Sequence, residues 1–405
     1  MSLFKTIVGG GILALPAGMA AGTGTGVAPG VAILAIHGLA SAYTYSLVGR
    51  AVKKTGARSF NELWAAAFSA ETAWVIDVMI MGVAGGACLT YGCFLGDLLS
   101  QLSGGAVGRT AAILGLAAFP IAPLALLKNL SALKHSSMVG LAAIAVSALV
   151  VVKRALDGTY GAGMPYGAWL QAGGAGGGDP LGQVSAANLQ VGTCVLFNML
   201  STAFMCHTNA VRAYNELERK DAHVAVALKA FGLAALLYGA VMIAGYFTFG
   251  GACQGLILSN YDGADPLALV TRVATLVSLL SSHPLLFTSF RDATFSLFKK
   301  SVDPLLAAPN GDANWKLLSL ALLAVPTLLA VVLPDVGFVV SLMGASLGAG
   351  LILVIPSLFG VSLFGDADAS KFERKAMKAI SYFGYFIGLF GTVVTCLETY
   401  TDVLN

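Results

Sequence analysis

Lys5-Thr6-Ile7-Val8-Gly9-Gly10-Gly11-Ile12-Leu13-Ala14-Leu15-Pro16 is the stretch that decides how this chain folds. Three consecutive glycines sit inside an otherwise apolar run, and a proline follows shortly after. Glycine weakens a helix by about 1 kcal/mol against alanine, and an internal proline removes a backbone hydrogen bond. A helix carrying both is expected to open here. In a bilayer an opened backbone survives only where it is buried in protein or lines a wet cavity. The amide N–H groups freed at such a point can hold a carboxylate. The break therefore reads as half of a binding site for a small zwitterion. Close helix packing through small residues is the alternative, and these residues by themselves leave both open.

The rest of the composition places this break in a membrane. Of 405 residues 57% are hydrophobic and only 11% are charged, against about 25% charged in a soluble globular protein. The chain reads as an all-α polytopic membrane protein, and no cleavable signal peptide is expected, because hydrophobic sequence begins almost at Met1. The first half of the opening helix is short, which leaves open whether the N-terminus is complete. Cys88, Cys93, Cys194, Cys206 and Cys396 fall in apolar stretches and only Cys253 in an outer loop, so no external disulfide is expected. No Cys/His cluster suggests a metal site, no cofactor is implied, and no nucleic-acid partner is expected. The sequon Asn129-Leu130-Ser131 is placed on the cytosolic side.

A spanning helix needs about 20 mostly apolar residues. Eleven transmembrane helices are expected, at roughly 3–26, 28–50, 72–100, 110–127, 136–155, 189–212, 225–250, 266–290, 315–333, 336–364 and 378–400. Charge placement supports that count. With the N-terminus in the cytosol, all of the 23 basic residues except Arg109, Lys153, Arg154 and Arg272 fall on the cytosolic side, as the positive-inside rule requires. The longest outer loop, about 156–188, contains the flexible run Gly173 to Gly178. The cytosolic stretch Asp366 to Lys378 reads as a solvated, partly helical linker.

The sixth span is the second unusual one. Asn198, Ser201, Thr202 and His207 are polar groups at membrane depth, and each costs free energy there unless it finds a partner. It lies five spans after the first. Two five-helix halves insert upside down relative to one another, giving a 5+5 inverted repeat with broken helices 1 and 6 plus an extra helix. Broken helices at matching places mark the binding site of a secondary transporter. The chain is read as one transporter domain, 1–405, with repeat one about 1–155, repeat two about 189–364 and the extra helix about 378–400.

Six segments in order resemble the amino acid/auxin permease family. They are Gly9 to Pro16; Tyr91-Gly92-Cys93-Phe94-Leu95-Gly96-Asp97-Leu98; Pro123 to Ser137 at the join of helices 4 and 5; Phe204-Met205-Cys206-His207 followed by Tyr214-Asn215-Glu216-Leu217; Pro284 followed by Arg291; and Ser341-Leu342-Met343-Gly344-Ala345 with Pro356. They are similar to its sodium-coupled neutral and proton-coupled amino acid transporter branches. The resemblance implies the eleven-helix fold with helices 1 and 6 unwound, and transport of amino acids.

It also implies roles. The backbone at Gly9, Gly10 and Gly11 would meet the substrate carboxylate, the amino group would face Asn198, Ser201 and Thr202, and Phe204 would close over the substrate. Sodium-coupled members place an Asn where this chain has Lys5, and a Thr where it has Ser282. Ser282 keeps an oxygen, but an ammonium at Lys5 would occupy the cation's space and not coordinate it. Proton-coupled members also carry Lys there, with a His where this chain has Ser2. Lys5 as a membrane-edge anchor remains the plainer alternative. His283 and His207 are the candidate sensors of a driving proton, with a neutral histidine bonded to a carbonyl as the alternative for each. Glu216 with Arg291 is one guess for an inner latch. His37 reads as structural.

The leading function is a secondary active transporter of small neutral L-amino acids, working by alternating access and proton-coupled in preference to sodium-coupled. The alternatives are a sodium-coupled transporter, or an amino acid sensor (transceptor) without sustained flux, which would be expected to bring a long cytosolic tail. No nucleophile–base constellation marks an enzyme. The partners implied are the amino acid, a proton and the lipid bilayer of the plasma membrane or a vacuolar or lysosomal membrane.

Overall fold

The computed structural model describes residues 2–21, 24–127, 136–161, 163–167, 186–333 and 335–404. The glycine run Gly173–Gly178, the sequon at Asn129 and most of the join between the fourth and fifth expected spans lie outside the described residues.

Among the described residues the chain is all helix, with no strand. In order the helices are α1 (Ser2–Ile7), α2 (Leu15–Ala20), α3 (Val27–Thr55), α4 (Phe60–Ala67), α5 (Trp74–Leu102), α6 (Arg109–Leu116), α7 (Ala122–Ala125) and α8 (Ser136–Asp157). They continue with α9 (Thr193–Ala203), α10 (Ala210–Glu216), α11 (His223–Phe249), α12 (Pro266–Leu297), α13 (Lys299–Ala307), α14 (Gly311–Val332), α15 (Val336–Met343), α16 (Ile355–Leu363) and α17 (Lys371–Leu404). Eight helical stretches among these residues are long and apolar enough to cross a membrane. Gly10–Ala20 and Arg109–Ala125 are shorter apolar helices. Helix α17 starts at Lys371, earlier than the 378 read from hydropathy, because its first turns are charged and Ser370 accepts the Glu373 N–H at its start.

The chain divides into two compact units. The first gathers Met1–Ile76, Asp179–Cys253 and Val340–Asn405. Its centre is the packing of α3 against α11 and of α2 against α9 and α11, with α16 and α17 alongside. One end of α3 is tied to the start of α17: Arg50 pairs with Glu373 at 2.5 Å and donates to the Asp368 carbonyl at 2.8 Å, while Lys54 meets the Asp368 carboxylate at 2.5 Å. Between α15 and α16 the helix widens into π-type turns over Gly344–Gly348 and Gly350–Val354.

The second unit holds Asp77–Gly178 and Gln254–Val339. Its spine is α8 packed along α12, pinned at depth by the Ser147–Thr275 hydroxyl pair at 3.0 Å. At one end Arg109 meets Asp97 at 2.7 Å and caps the carbonyls of Ala330 and Leu333 at the end of α14.

Candidate functional site: paired helix breaks

The first break falls where the glycines predict it. Helix α1 ends at Ile7, Gly9 is extended (φ −125°, ψ −169°), and a tight 3-10 turn runs from Gly10 to Ala14 before α2. The first bond of that turn is Ile12 N–H to Gly9 carbonyl at 3.5 Å. The amides of Gly10 and Gly11 precede it, so they have no partner within the turn. Pro16 costs nothing here, because it sits in the first turn of α2, where its missing N–H is not needed.

The second break falls after α9. The helix stops at Ala203, the chain leaves it through Phe204, Met205 and Cys206, and a 3-10 turn at His207–Asn209 leads into α10. The two breaks lie side by side. A Cβ added to Gly11 would sit 3.4 Å from the Ala203 Cα, so the two chains leave room for a methyl group between them and little more.

One side chain holds both. The Tyr238 hydroxyl on α11, fully buried, lies 2.9 Å from the Ile7 carbonyl and 2.8 Å from the Ala203 carbonyl and shares its single hydrogen between them. These are the last helical residues before each break. An orphan carbonyl buried at this depth costs about 1–3 kcal/mol, and one phenol serves two of them. Tyr238 carries no motif and stands alone in an apolar run, so sequence patterning gave no means of singling it out.

The polar residues expected on the substrate side of the sixth span face elsewhere. Asn198 Nδ2 donates to the Gly391 carbonyl and the Thr395 hydroxyl of α17, both at 3.1 Å. Thr202 donates to the Val340 carbonyl at 2.6 Å, and Ser201 to its own helix at Phe197, 3.1 Å away. Asn198 and Thr202 hold α9 against α17 and α15 while Ser201 is spent on its own helix, since in lipid a hydroxyl or amide is cheapest when a neighbouring carbonyl takes it. Gly344 and Gly348 make room: a Cβ on Gly344 would fall on the Asn198 carbonyl, and one on Gly348 would come within 3.0 Å of Ser201 Cβ.

Phe204 also departs from the expected lid. It is fully buried, its ring 4.9 Å from Tyr238, 5.7 Å from His37 and 5.9 Å from Phe231. It packs inside the first unit because the break turns it towards α3 and α11. His207 is buried beside α3, with Nε2 3.1 Å from the Thr44 hydroxyl and 3.2 Å from the Ser41 carbonyl. In the second unit, His283 is buried on α12 against the Cys88 main chain. There Ser282 Oγ lies 3.7 Å from where a Gly140 Cβ would be. Lys5 falls within α1. Glu216 pairs with Arg212 at 2.7 Å, and Arg291 with Asp292 at 3.3 Å and the Ala125 carbonyl at 3.2 Å, so each of the two guessed latch partners is matched to a neighbour of its own. Among the described residues no group of His, Cys, Asp and Glu is arranged to hold a metal.

An all-helical, multi-pass membrane protein with two interrupted helices clasped together is the class that this fold and site define. The chain belongs to the family of transmembrane amino acid transporter proteins, which it matches over residues 1–401. It is 25% identical to vacuolar amino acid transporter 5 of Schizosaccharomyces pombe over 412 residues, covering 98% of this chain and 91% of that one. It is 23% identical to vacuolar amino acid transporter 6 of Saccharomyces cerevisiae, covering 98% and 96%. With AAT1 of Toxoplasma gondii it shares 28% identity over 307 residues, which is 74% of this chain but only 40% of that protein. The family and the two yeast relatives are transporters, not enzymes.

Proposed function

We propose that this protein is a secondary active transporter of small neutral L-amino acids that works by alternating access, with the paired breaks as its substrate site. The observation that carries the reading is the Tyr238 bridge between Ile7 and Ala203, which keeps two opened main chains beside one another. The amides at Gly10 and Gly11, which the turn itself does not use, suit a carboxylate, and the carbonyls where α9 ends suit an ammonium. Recognition on this reading comes from main chain. Asn198, Ser201 and Thr202 contribute by shaping the end of α9 in place of touching the ligand, and Phe204 by packing behind it.

The eleven-span count is supported by adding the interrupted first span, Arg109–Ala125 and Ser136–Asp157 to the eight long helices. The inverted repeat, about 1–155 against about 189–364, is supported by the make-up of the units, each of which draws helices from both halves. Lys5, in place of an oxygen ligand, favours a proton over sodium as the coupling ion, with His207, His283 and Ser282 as the candidate coupling residues. A plasma, vacuolar or lysosomal membrane would suit such a carrier.

The test is uptake of a labelled amino-acid panel by proteoliposomes, with pH and sodium gradients imposed separately. Concentrative uptake of small neutral amino acids driven by the pH gradient is the expected result. Binding without net flux under either gradient would replace the carrier by a sensor, and sodium-driven accumulation at constant pH would replace the proton.

A further inference from the structure

Five buried polar side chains of the first unit line up in a file that the substrate site does not use. His37, Ser41 and Tyr45 are spaced four apart on α3 and so share one face. His207 follows the second break, and His223 opens α11 and meets the same face at Gly49, where a Cβ would strike its ring. None of the five is more than 6% exposed. Tyr45 links the two imidazoles, its ring 5.5 Å from His207 and stacked 5.6 Å from His223.

Six polar atoms in this file have no hydrogen-bond partner in the protein: both His37 nitrogens, Ser41 Oγ, the Tyr45 hydroxyl, His207 Nδ1 and His223 Nε2. They make up half of the orphaned buried side-chain atoms among the described residues. One such orphan costs about 1–3 kcal/mol, and bound water is the ordinary partner for groups of this kind. Titratable groups at membrane depth mark proton and ion paths more often than scaffolds.

The tautomers follow from the bonds made. The Thr44 hydroxyl gives its hydrogen to the Ala40 carbonyl at 2.9 Å, and the Ser41 carbonyl can only accept. The hydrogen at His207 Nε2 is therefore the imidazole's own, and Nδ1 is left as a bare lone pair. His223 lies against the Tyr45 main chain, and its Nε2 has no partner in the protein. The bare His207 Nδ1 and the unpartnered His223 Nε2 thus flank a hydroxyl that has a proton to give.

We propose that this file is an internal proton path, hydrated along its length, in which His207 Nδ1 is the proton-binding site beside the second break. A proton enters at His223 Nε2, passes through the Tyr45 hydroxyl to His207, and is joined to His37 through Ser41. Each step moves one proton between a donor and the next lone pair by way of water, and no bond other than N–H or O–H forms or breaks. The inference rests on the proton-coupled reading above. Around the file, α9 and the second break give Phe197, Phe204 and Cys206, α11 gives Phe231, and α10 gives Tyr214 against His223. Lys220 stands 5.3 Å over the Tyr214 ring with Asp221 beside it, at the end where α11 begins. The π-type segment packed on α3 and on His207–Asn209 contributes only Gly350, Leu351, Ile352, Leu353 and Val354.

Tyr45→Phe decides the matter, because it deletes one oxygen and keeps both ring contacts. In proteoliposomes three quantities are read: melting temperature, amino-acid exchange without a gradient, and accumulation driven by a pH gradient. A path predicts unchanged melting and exchange with gradient-driven accumulation reduced at least about tenfold. A plain packing core predicts equal or higher melting temperature, since an orphan is removed, and accumulation as steep as in the parent; that result overturns the path. Ser41→Ala gives a second reading by the same three measurements should Tyr45→Phe fold poorly. A parent protein that exchanges but ignores the pH gradient removes proton coupling and the path together. A parent that responds, with variants that respond equally, removes the path alone.

Discussion

Arg154 at the end of α8 and Asp265 at the start of α12 meet in a two-pronged pair, Nε to Oδ2 at 2.9 Å and Nη2 to Oδ1 at 2.5 Å. Asp265 is fully buried and also caps α12 through the Leu267 N–H at 2.9 Å, while the Tyr160 hydroxyl donates to it at 3.1 Å. This knot fixes the ends of the two helices that form the spine of the second unit.

Removing one partner of a buried, hydrogen-bonded pair costs about 3–5 kcal/mol. Asp265→Ala is expected to lose that much, read as a lower melting temperature in detergent, and Arg154→Ala nearly as much. Burial alone would push the Asp265 carboxyl up, but the hydrogen bonds from Arg154 and Leu267, the Arg154 charge and Tyr160 outweigh it and hold the group below the usual carboxylate range. A depressed folded value means that the stabilisation is complete above about pH 4, the unfolded value. It is lost only as the pH falls through the folded value. Titrating the melting temperature from pH 8 to 5 should therefore show no difference in slope between parent and Asp265→Asn; a gap that closes over that range would contradict the assignment.

Tyr238→Phe strands the Ile7 and Ala203 carbonyls together. We expect a stability loss of about 1–3 kcal/mol. Substrate affinity should weaken about tenfold, since each 1.4 kcal/mol of lost site geometry is a factor of ten. Thermal shift and equilibrium binding of the transported amino acid measure the two. Unchanged affinity with lowered stability would make Tyr238 a brace of the fold only.

Gly11 tolerates little. Alanine there would place its Cβ at ordinary contact, 3.4 Å from Ala203 Cα, so Gly11→Ala should fold and bind with a modest loss. Gly11→Val forces the breaks apart at about 1–3 kcal/mol, and binding should disappear while the protein still purifies as a monodisperse species. Equal binding by the two variants would mean that the breaks do not grip the ligand.

The Asn198 cluster should behave as helix glue. Asn198→Ala removes the bonds to Gly391 and Thr395 and is expected to cost about 1–2 kcal/mol. Thr395→Val on the partner helix should cost less when made on top of it than alone, because the two share one interaction. Gly344→Ala, whose Cβ would fall on the Asn198 carbonyl, should be the more damaging change. A double-mutant cycle on melting temperature checks the first pair.

What the sequence by itself determined is the membrane class and the place where the first span opens. Both follow from local terms: long apolar runs, and Gly9-Gly10-Gly11 with their poor helix propensity. The family was equally legible, because its motifs are contiguous. What only the tertiary structure decided is which groups serve the breaks. Asn198, Thr202 and Phe204 looked like ligands or a lid because they are polar or aromatic at the right depth, but a helix presents each side chain to one neighbour, and that neighbour is fixed by packing and not by residue type. Tyr238, distant in the chain from Ile7 and plain in its own helix, became the clasp for the same reason: a buried carbonyl must be met by whichever donor the folded chain brings within about 3 Å.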